Sequence, residues 1–245
     1  MEKNPVVILC PMDGECDLLI SSLTEKEEIK IGGYLFFEGK LGGRPVVVVR
    51  CLIGMVNAAV CTTLAVERYS PRAVILQGTS GAHRPEQRLN DLVIAERIVS
   101  LTNTTSPAKK PGEGTNPLEW EEFGVQAYSK KEDTINFANA FFCDPTLVAL
   151  AKQVPYRDGT VWVGTVGCGD IWNREADLIS FYHKTRGTDC EAMEGIAVAQ
   201  VCEAFGVPMI EIRVISNNEL HDEVHYSVET ACCSQRFVMN FLKLL

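Results

Sequence analysis

Ala73-Val-Ile-Leu-Gln-Gly-Thr-Ser-Gly81 decides how the chain is read. Ala73–Gln77 is a short, continuous apolar run closed by Gly78-Thr79-Ser80-Gly81, the pattern of a strand buried on both faces that ends in a Gly-rich turn. Just upstream, Met55–Tyr69 has helical periodicity and is entered at Gly54, so a helix precedes that strand. Towards the N-terminus, Arg44–Cys51 and Leu35–Lys40 read as a hairpin across Gly42-Gly43, Glu15–Ser22 as a helix, and Pro5–Cys10 as a buried strand. Towards the C-terminus, strands are predicted at Leu92–Val99, Gly159–Gly167 and Pro208–Ser216, and helices at Pro145–Gln153, Met193–Phe205 and Ser227–Leu242. Gly206 stands where a helix stop is expected. Thr102–Gly124 lacks apolar period and reads as a long surface loop. Strands separated by helices, with hairpin material among them, predict a three-layer α/β/α fold around a mixed sheet. Without a linker or an internal repeat, residues 1–245 are read as one domain.

Composition narrows the function. The chain is 46% hydrophobic and 22% charged, which is globular usage and not that of a disordered chain. Its net charge of -9 opposes phosphate backbones and anionic membranes, so neither nucleic acid nor membrane is an expected partner. No run approaches the ~18 to 20 apolar residues that span a bilayer. The N-terminus lacks a basic region before Val6–Cys10, and Pro11, Asp13 and Glu15 end that run early, so a cytoplasmic protein is expected. The ten cysteines form no CxxC pair and are expected to be reduced core residues.

Several motifs are excluded by their spacing. Gly164-Thr-Val-Gly167-Cys-Gly169 fits neither the dinucleotide fingerprint nor the P-loop. His221-Asp-Glu-Val-His225 places two imidazoles four apart, but Asp222 stands where a zinc protease needs glutamate and no third ligand follows. A polar loop or an exposed helix start is the simpler reading, and no metal is expected. Two carboxylates carry more information. Glu15 closes the turn Pro11-Met-Asp-Gly-Glu15, and Glu194 interrupts the small apolar run Ala192–Ala199. A buried acid needs a partner, and Arg213 would suffice structurally for Glu194. Against a purely structural role stands the polar trio Ser216-Asn217-Asn218 at a strand end, where ligands of α/β sheets gather.

Six pieces in order, Met12-Asp-Gly-Glu15, Gly54-Met-Val-Asn-Ala-Ala59, Gly78-Thr-Ser-Gly-Ala82, Gly169-Asp170, Met193-Glu-Gly195 and Arg213-Val-Ile-Ser-Asn217, resemble the nucleoside phosphorylase and nucleosidase superfamily. The likeness is to the hydrolase branch that includes methylthioadenosine/S-adenosylhomocysteine nucleosidase and futalosine hydrolase, and it covers nearly the whole chain. It implies a mixed, partly barrel-like sheet, a small-molecule nucleoside as substrate, commonly a homodimer, and no cofactor. Glu15 would hold the attacking water as general base, and Glu194 would bind the ribose hydroxyls above Met193. Trp172, unless it is an ordinary tryptophan, matches an aromatic that stacks on the purine, with Asn173 beside it. Thr79 and Gly81 belong to the matching Gly-rich turn, and Ser216 and Arg213 fall where the family orients the base-binding loop. The phosphorylases carry an arginine just before that turn, where this chain has Leu76-Gln77, so water is the expected nucleophile. An arginine at 84 does not match that position and reads as a surface residue.

Asn217 departs from the methylthioadenosine nucleosidases, which have an aspartate there that protonates the purine. An asparagine has no proton to give, but its amide NH₂ suits O6 and N7 of a 6-oxopurine. The resemblance therefore leans to futalosine hydrolase, which releases hypoxanthine on the route to menaquinone. The 6-amino substrates remain the alternative, because an inverted amide accepts from an amino group. Asp222 is a second candidate for the leaving-group proton. The 5′ side of futalosine carries a carboxyphenyl ketone, for which the loop 102–124, Lys109, Lys110, Arg84 or a neighbouring subunit are candidate contacts. A nucleoside-binding module without catalysis is the rival of another class.

Overall fold

The computed structural model describes residues 4–221, 223–224 and 226–245, without the side chains of 223 and 224. Among them the chain runs from strand β1 (Val6–Cys10) through a 3-10 turn at Asp13–Glu15 and α1 (Asp17–Ser21) into an antiparallel meander. The meander is β2 (Thr24–Ile31), β3 (Tyr34–Leu41) and β4 (Arg44–Arg50), followed by α2 (Met55–Tyr69), β5 (Ala73–Ala82) and β6 (Leu92–Ser100). Next come the short β7 (Thr104–Thr105) and β8 (Glu121–Glu122), which pair with each other, the hairpin β9 (Val125–Ser129) and β10 (Thr134–Ala138), and β11 (Ala140–Phe142). The remainder is α3 (Pro145–Ala151), β12 (Val161–Cys168), α4 (Ala176–Arg186), β13 (Cys190–Ala192), α5 (Gly195–Phe205), β14 (Met209–Asn218), β15 (Glu223–Val224) and α6 (Val228–Phe241).

The sheet is mixed and part of it is closed. Strands β14, β6, β12, β13 and β5 follow one another, and β5 pairs back onto β14, so these five form a ring. From β5 the sheet continues through β1, β4, β3 and β2. The parallel strands at its centre are the apolar runs of the sequence, and every residue of β1 is fully buried. Each Val, Leu or Ile side chain so buried contributes roughly 1.5–3 kcal/mol. Helix α2 packs on α5, while α6 covers β5 and β14.

Closure explains where strands differ from their predicted limits. The stretch Gly78–Gly81, expected as a turn, belongs to β5, and Asn217 and Asn218, expected after the strand, belong to β14. Backbone groups there pair across the ring: Gly81 stands opposite Glu191 on one side and Asn217 on the other. The loop expected at 102–124 contains the β7–β8 pair and a 3-10 turn at Pro117–Glu119. Strand β2, Thr-Glu-Lys-Glu-Glu-Ile-Lys-Ile, has no sequence signal of its own; it is an exposed, charged edge strand recruited by β3.

The helix termini are placed by the residues that marked them. Gly54 has φ +99°, and the Met55 N–H donates to Asp170 Oδ1 at 2.9 Å, so the Gly169-Asp170 motif caps α2. Gly206, at φ +68°, ends α5. The cysteines are free thiols, and all but Cys232 are buried. No described helix is long and apolar enough to cross a membrane.

Candidate active site

At the carboxyl ends of β1, β5 and β14 lies a cavity of ≈ 290 Å³, the place where open α/β sheets collect ligands. Glu15 forms its floor. Its Oε2 accepts from the Met12 N–H at 2.9 Å, closing the one-turn 3-10 helix, and its Oε1 accepts from the Thr79 N–H at 2.6 Å and the Thr79 hydroxyl at 2.7 Å. Burial pushes the Glu15 carboxyl above the ordinary value, against the opposing pull of Arg213 and the Thr79 donors. A carboxylate so placed has a basicity closer to neutral and a fixed orientation, which general-base work needs.

Glu194 stands at the start of α5. Its Oε1 accepts from the Gly54 N–H at 3.0 Å and its Oε2 from Arg213 Nη2 at 2.9 Å. Arg213 Nε donates to Glu211 Oε1 at 2.8 Å. Arg213, which the resemblance set where the family orients its base-binding loop, is here a fully buried cation shared between carboxylates, and its Nη1 donates to Thr79 O at 3.3 Å. Burial works against that charge, but Glu211, Glu194 and Glu15 outweigh it and raise the guanidinium pKa. Burial also raises the Glu211 carboxyl. With three acids around one base, the cluster favours retaining a proton.

The other end of the cavity is polar in a different way. A register shift between Ile215 and Asn217 makes Ser216 the extra residue opposite β5, so Ser216 and Asn217, neighbours in a strand, both line the cavity. The Ser216 hydroxyl lies 3.2 Å from Ser80 O and from Asn217 Oδ1. Thr79, Gly81 and Met193 also line the wall. Trp172 lies at the mouth, 58% exposed, with Ile53 and Ile171. The sequence missed Glu191 and Tyr226 in the lining: the first is on a three-residue strand without periodicity, the second follows the set-aside histidine pair.

Some expected contacts are elsewhere. Asn173 is outside the lining; its backbone N–H donates to Glu191 Oε1 at 2.8 Å and its amide donates to Glu191 Oε2, so it clamps an acid that does line the cavity. Arg84 pairs with Asp189 and stacks over Trp162, and Lys109 pairs with Glu119 within its own loop. No residue of 102–124 lines the cavity. His221 Nε2 contacts Pro85 O, while Asp222 and His225 lie outside the described residues. Among the described residues no cluster suits a metal ion.

Gln77, at the position where an arginine was sought, is fully buried. Its Nε2 donates to Glu15 O and Cys10 Sγ, and its Oε1 accepts from the Ser234 hydroxyl at 2.7 Å.

The profile of the Phosphorylase superfamily matches residues 5–244. The chain is 32% identical over 213 residues to the 5′-methylthioadenosine/S-adenosylhomocysteine nucleosidase of Geobacillus thermodenitrificans, covering 86% of this chain and 82% of that one. It is 31% identical over 246 residues to the enzyme of the same name from Shewanella loihica, covering 97% and 98%. Its fold is similar to the Neisseria meningitidis nucleosidase solved with methylthio-immucillin-A, with a TM-score of 0.79 at 21% identity over 99% of this chain and 100% of that one. Floor, ring closure and sequence agree: the chain belongs to the Phosphorylase superfamily.

Proposed function

We propose that the protein hydrolyses the N-glycosidic bond of a 5′-substituted purine nucleoside. The observation that carries this reading is Glu15, a buried carboxylate with raised pKa held by three donors, facing a cavity whose other wall presents Glu194. Glu15 takes the proton from a water that attacks C1′. Glu194, held by Gly54 and Arg213, accepts from the ribose hydroxyls, and its charge favours the cationic sugar of the transition state. Water rather than phosphate is supported by two facts: Gln77 is committed to protein partners, and Arg213 already carries Glu194 and Glu211.

For the leaving base, relatives that act on 5′-methylthioadenosine and S-adenosylhomocysteine support a 6-aminopurine nucleoside. The mouth of Ile53, Ile171 and Trp172 supports an apolar 5′ group, and among the described lining residues the one cation, Arg213, is already paired. A carboxylated 5′ extension such as that of futalosine finds no partner in that lining. Asn217 favours a second reading, a 6-oxopurine as in futalosine, through its amide NH₂. Incubation with methylthioadenosine, S-adenosylhomocysteine, futalosine and 6-amino-6-deoxyfutalosine in phosphate-free buffer, with the released base quantified by chromatography, tests both. Adenine from methylthioadenosine is the expected product, hypoxanthine from futalosine alone reverses the choice, and binding without release of any base overturns hydrolysis.

We also propose a cytoplasmic homodimer in which α2 and α5 face a second copy. The groove between them is lined by Met55, Val56, Ala59, Ala197, Val201 and Phe205, and Val56 is 73% exposed.

A further inference from the structure

A purine that departs from C1′ takes the bonding electron pair with it, and departure is slow unless a proton meets the ring. On the ribose side Glu15 accepts a proton and Glu194 accepts hydrogen bonds, and at the base end Asn217 has no proton to surrender. A carboxyl group stands beside Asn217. Gly81 of β5 pairs with Glu191 of β13 on one side and with Asn217 of β14 on the other, so the two side chains flank a glycine and line the same cavity. A Cβ at Gly81 would lie 3.2 Å from Asn217 Nδ2 and 3.6 Å from Glu191 Cγ; the missing side chain is what leaves room between them.

Glu191 is held in place by polar neighbours on both of its carboxyl oxygens. As a carboxylate it accepts from the Asn173 N–H at 2.8 Å, from the Asn173 amide, and from His83 Nε2 at 3.2 Å. His83 is itself buried, with Nδ1 2.7 Å from the Thr188 hydroxyl. Asn173 Oδ1 is buried and has no partner among the described residues. A half turn of that amide exchanges Nδ2 for Oδ1, presenting an acceptor to a protonated Glu191.

We propose that Glu191 is the general acid at the base end of this site, a role that rests on the nucleosidase reading above. As the C1′–N bond breaks, its electron pair passes to the purine, and the Glu191 carboxyl gives its proton to a ring nitrogen. The water oxygen bonds to C1′ and its proton goes to Glu15. The products are the free base and the free sugar, with Glu191 ionised and Glu15 protonated; exchange with solvent restores both.

Glu191→Gln keeps the shape and removes the proton. The test measures kcat for wild type and variant on nucleosides with one sugar and leaving bases of graded basicity. The expected result is a loss of about 100-fold or more on the natural base, shrinking as the base becomes less basic, while wild-type rates vary little across the series. An equal loss across the series, or no loss, overturns the assignment. Should Glu191→Gln fail to fold by thermal melting, Glu191→Asp serves: partial activity with steepened dependence on the base supports the role, and an unchanged dependence overturns it. A wild type that cleaves none of the series overturns the nucleosidase reading itself, and the assignment falls with it.

Discussion

Gly78 presses its backbone against Glu15: a Cβ at that position would lie 2.9 Å from Glu15 Oε1 and 2.8 Å from Arg213 Nη1. The glycine therefore sets the approach of β5 to the floor of the cavity. Gly78→Ala is expected to displace the carboxylate, lowering kcat/KM at least 10-fold, and to cost about 1–3 kcal/mol through overpacking. Steady-state kinetics with urea unfolding checks both, and an alanine variant of unchanged activity contradicts this role of the glycine.

Glu15 should impose its raised pKa on the pH profile. A base must be ionised, so the acid limb of kcat/KM is expected above the range of an ordinary carboxylate, and Glu15→Gln should remove about 10²–10⁴-fold in rate. Stability moves the opposite way. A carboxyl whose folded pKa is raised contributes most below its unfolded value, and that contribution is lost as pH rises through the folded value. Glu15→Gln should therefore gain stability over wild type on the alkaline side, which unfolding midpoints measured across pH will show.

Arg213 is the counter-ion of two buried carboxylates, Glu194 and Glu211. Arg213→Met leaves both without a positive neighbour and is expected to cost about 3–5 kcal/mol. Chemical denaturation measures it, and a loss below ~1 kcal/mol means the acids are carried neutral.

Asn217→Asp tests base selection. An added carboxylate accepts from an exocyclic amine and opposes a carbonyl oxygen, so the ratio of methylthioadenosine to futalosine hydrolysis should rise by about 10-fold or more. An unchanged ratio would show that position 217 does not read the six-substituent, and a fall would show that it reads it in the opposite sense.

Val56 is expected to lie within a dimer interface. Val56→Glu should reduce the sedimentation mass to that of one chain, and a wild type that already sediments as one chain removes the proposal.

The buried strands were legible because burial on both faces writes continuous apolar runs: Pro5–Cys10 and Ala73–Gln77 match β1 and the first half of β5. Helix α2 was legible to its ends. What escaped, apart from helix α4, were elements defined by their neighbours. Strand β2 is charged along its length, β13 is three residues long, and the β9–β10 hairpin rests on α5 rather than on its own pattern. The same division holds in the site. Glu15, Glu194, Thr79 and Asn217 lie on matching motifs and meet in one cavity, whereas Glu191 enters it only because β13 is stitched between β12 and β5. Asn173 was misplaced for a related reason: adjacency to Trp172 does not say that its amide turns inward to Glu191.

Gln77 joins three parts of the chain through one amide: the carbonyl of Glu15, the thiol of Cys10 and the hydroxyl of Ser234 on α6. Placing an arginine there would cut all three ties and leave a cation inside the wall between β5 and α6. The choice of nucleophile is thus welded to the assembly of the N-terminal turn with the C-terminal helix, and retooling this scaffold to use phosphate demands a rebuilt interior, not a single exchanged side chain.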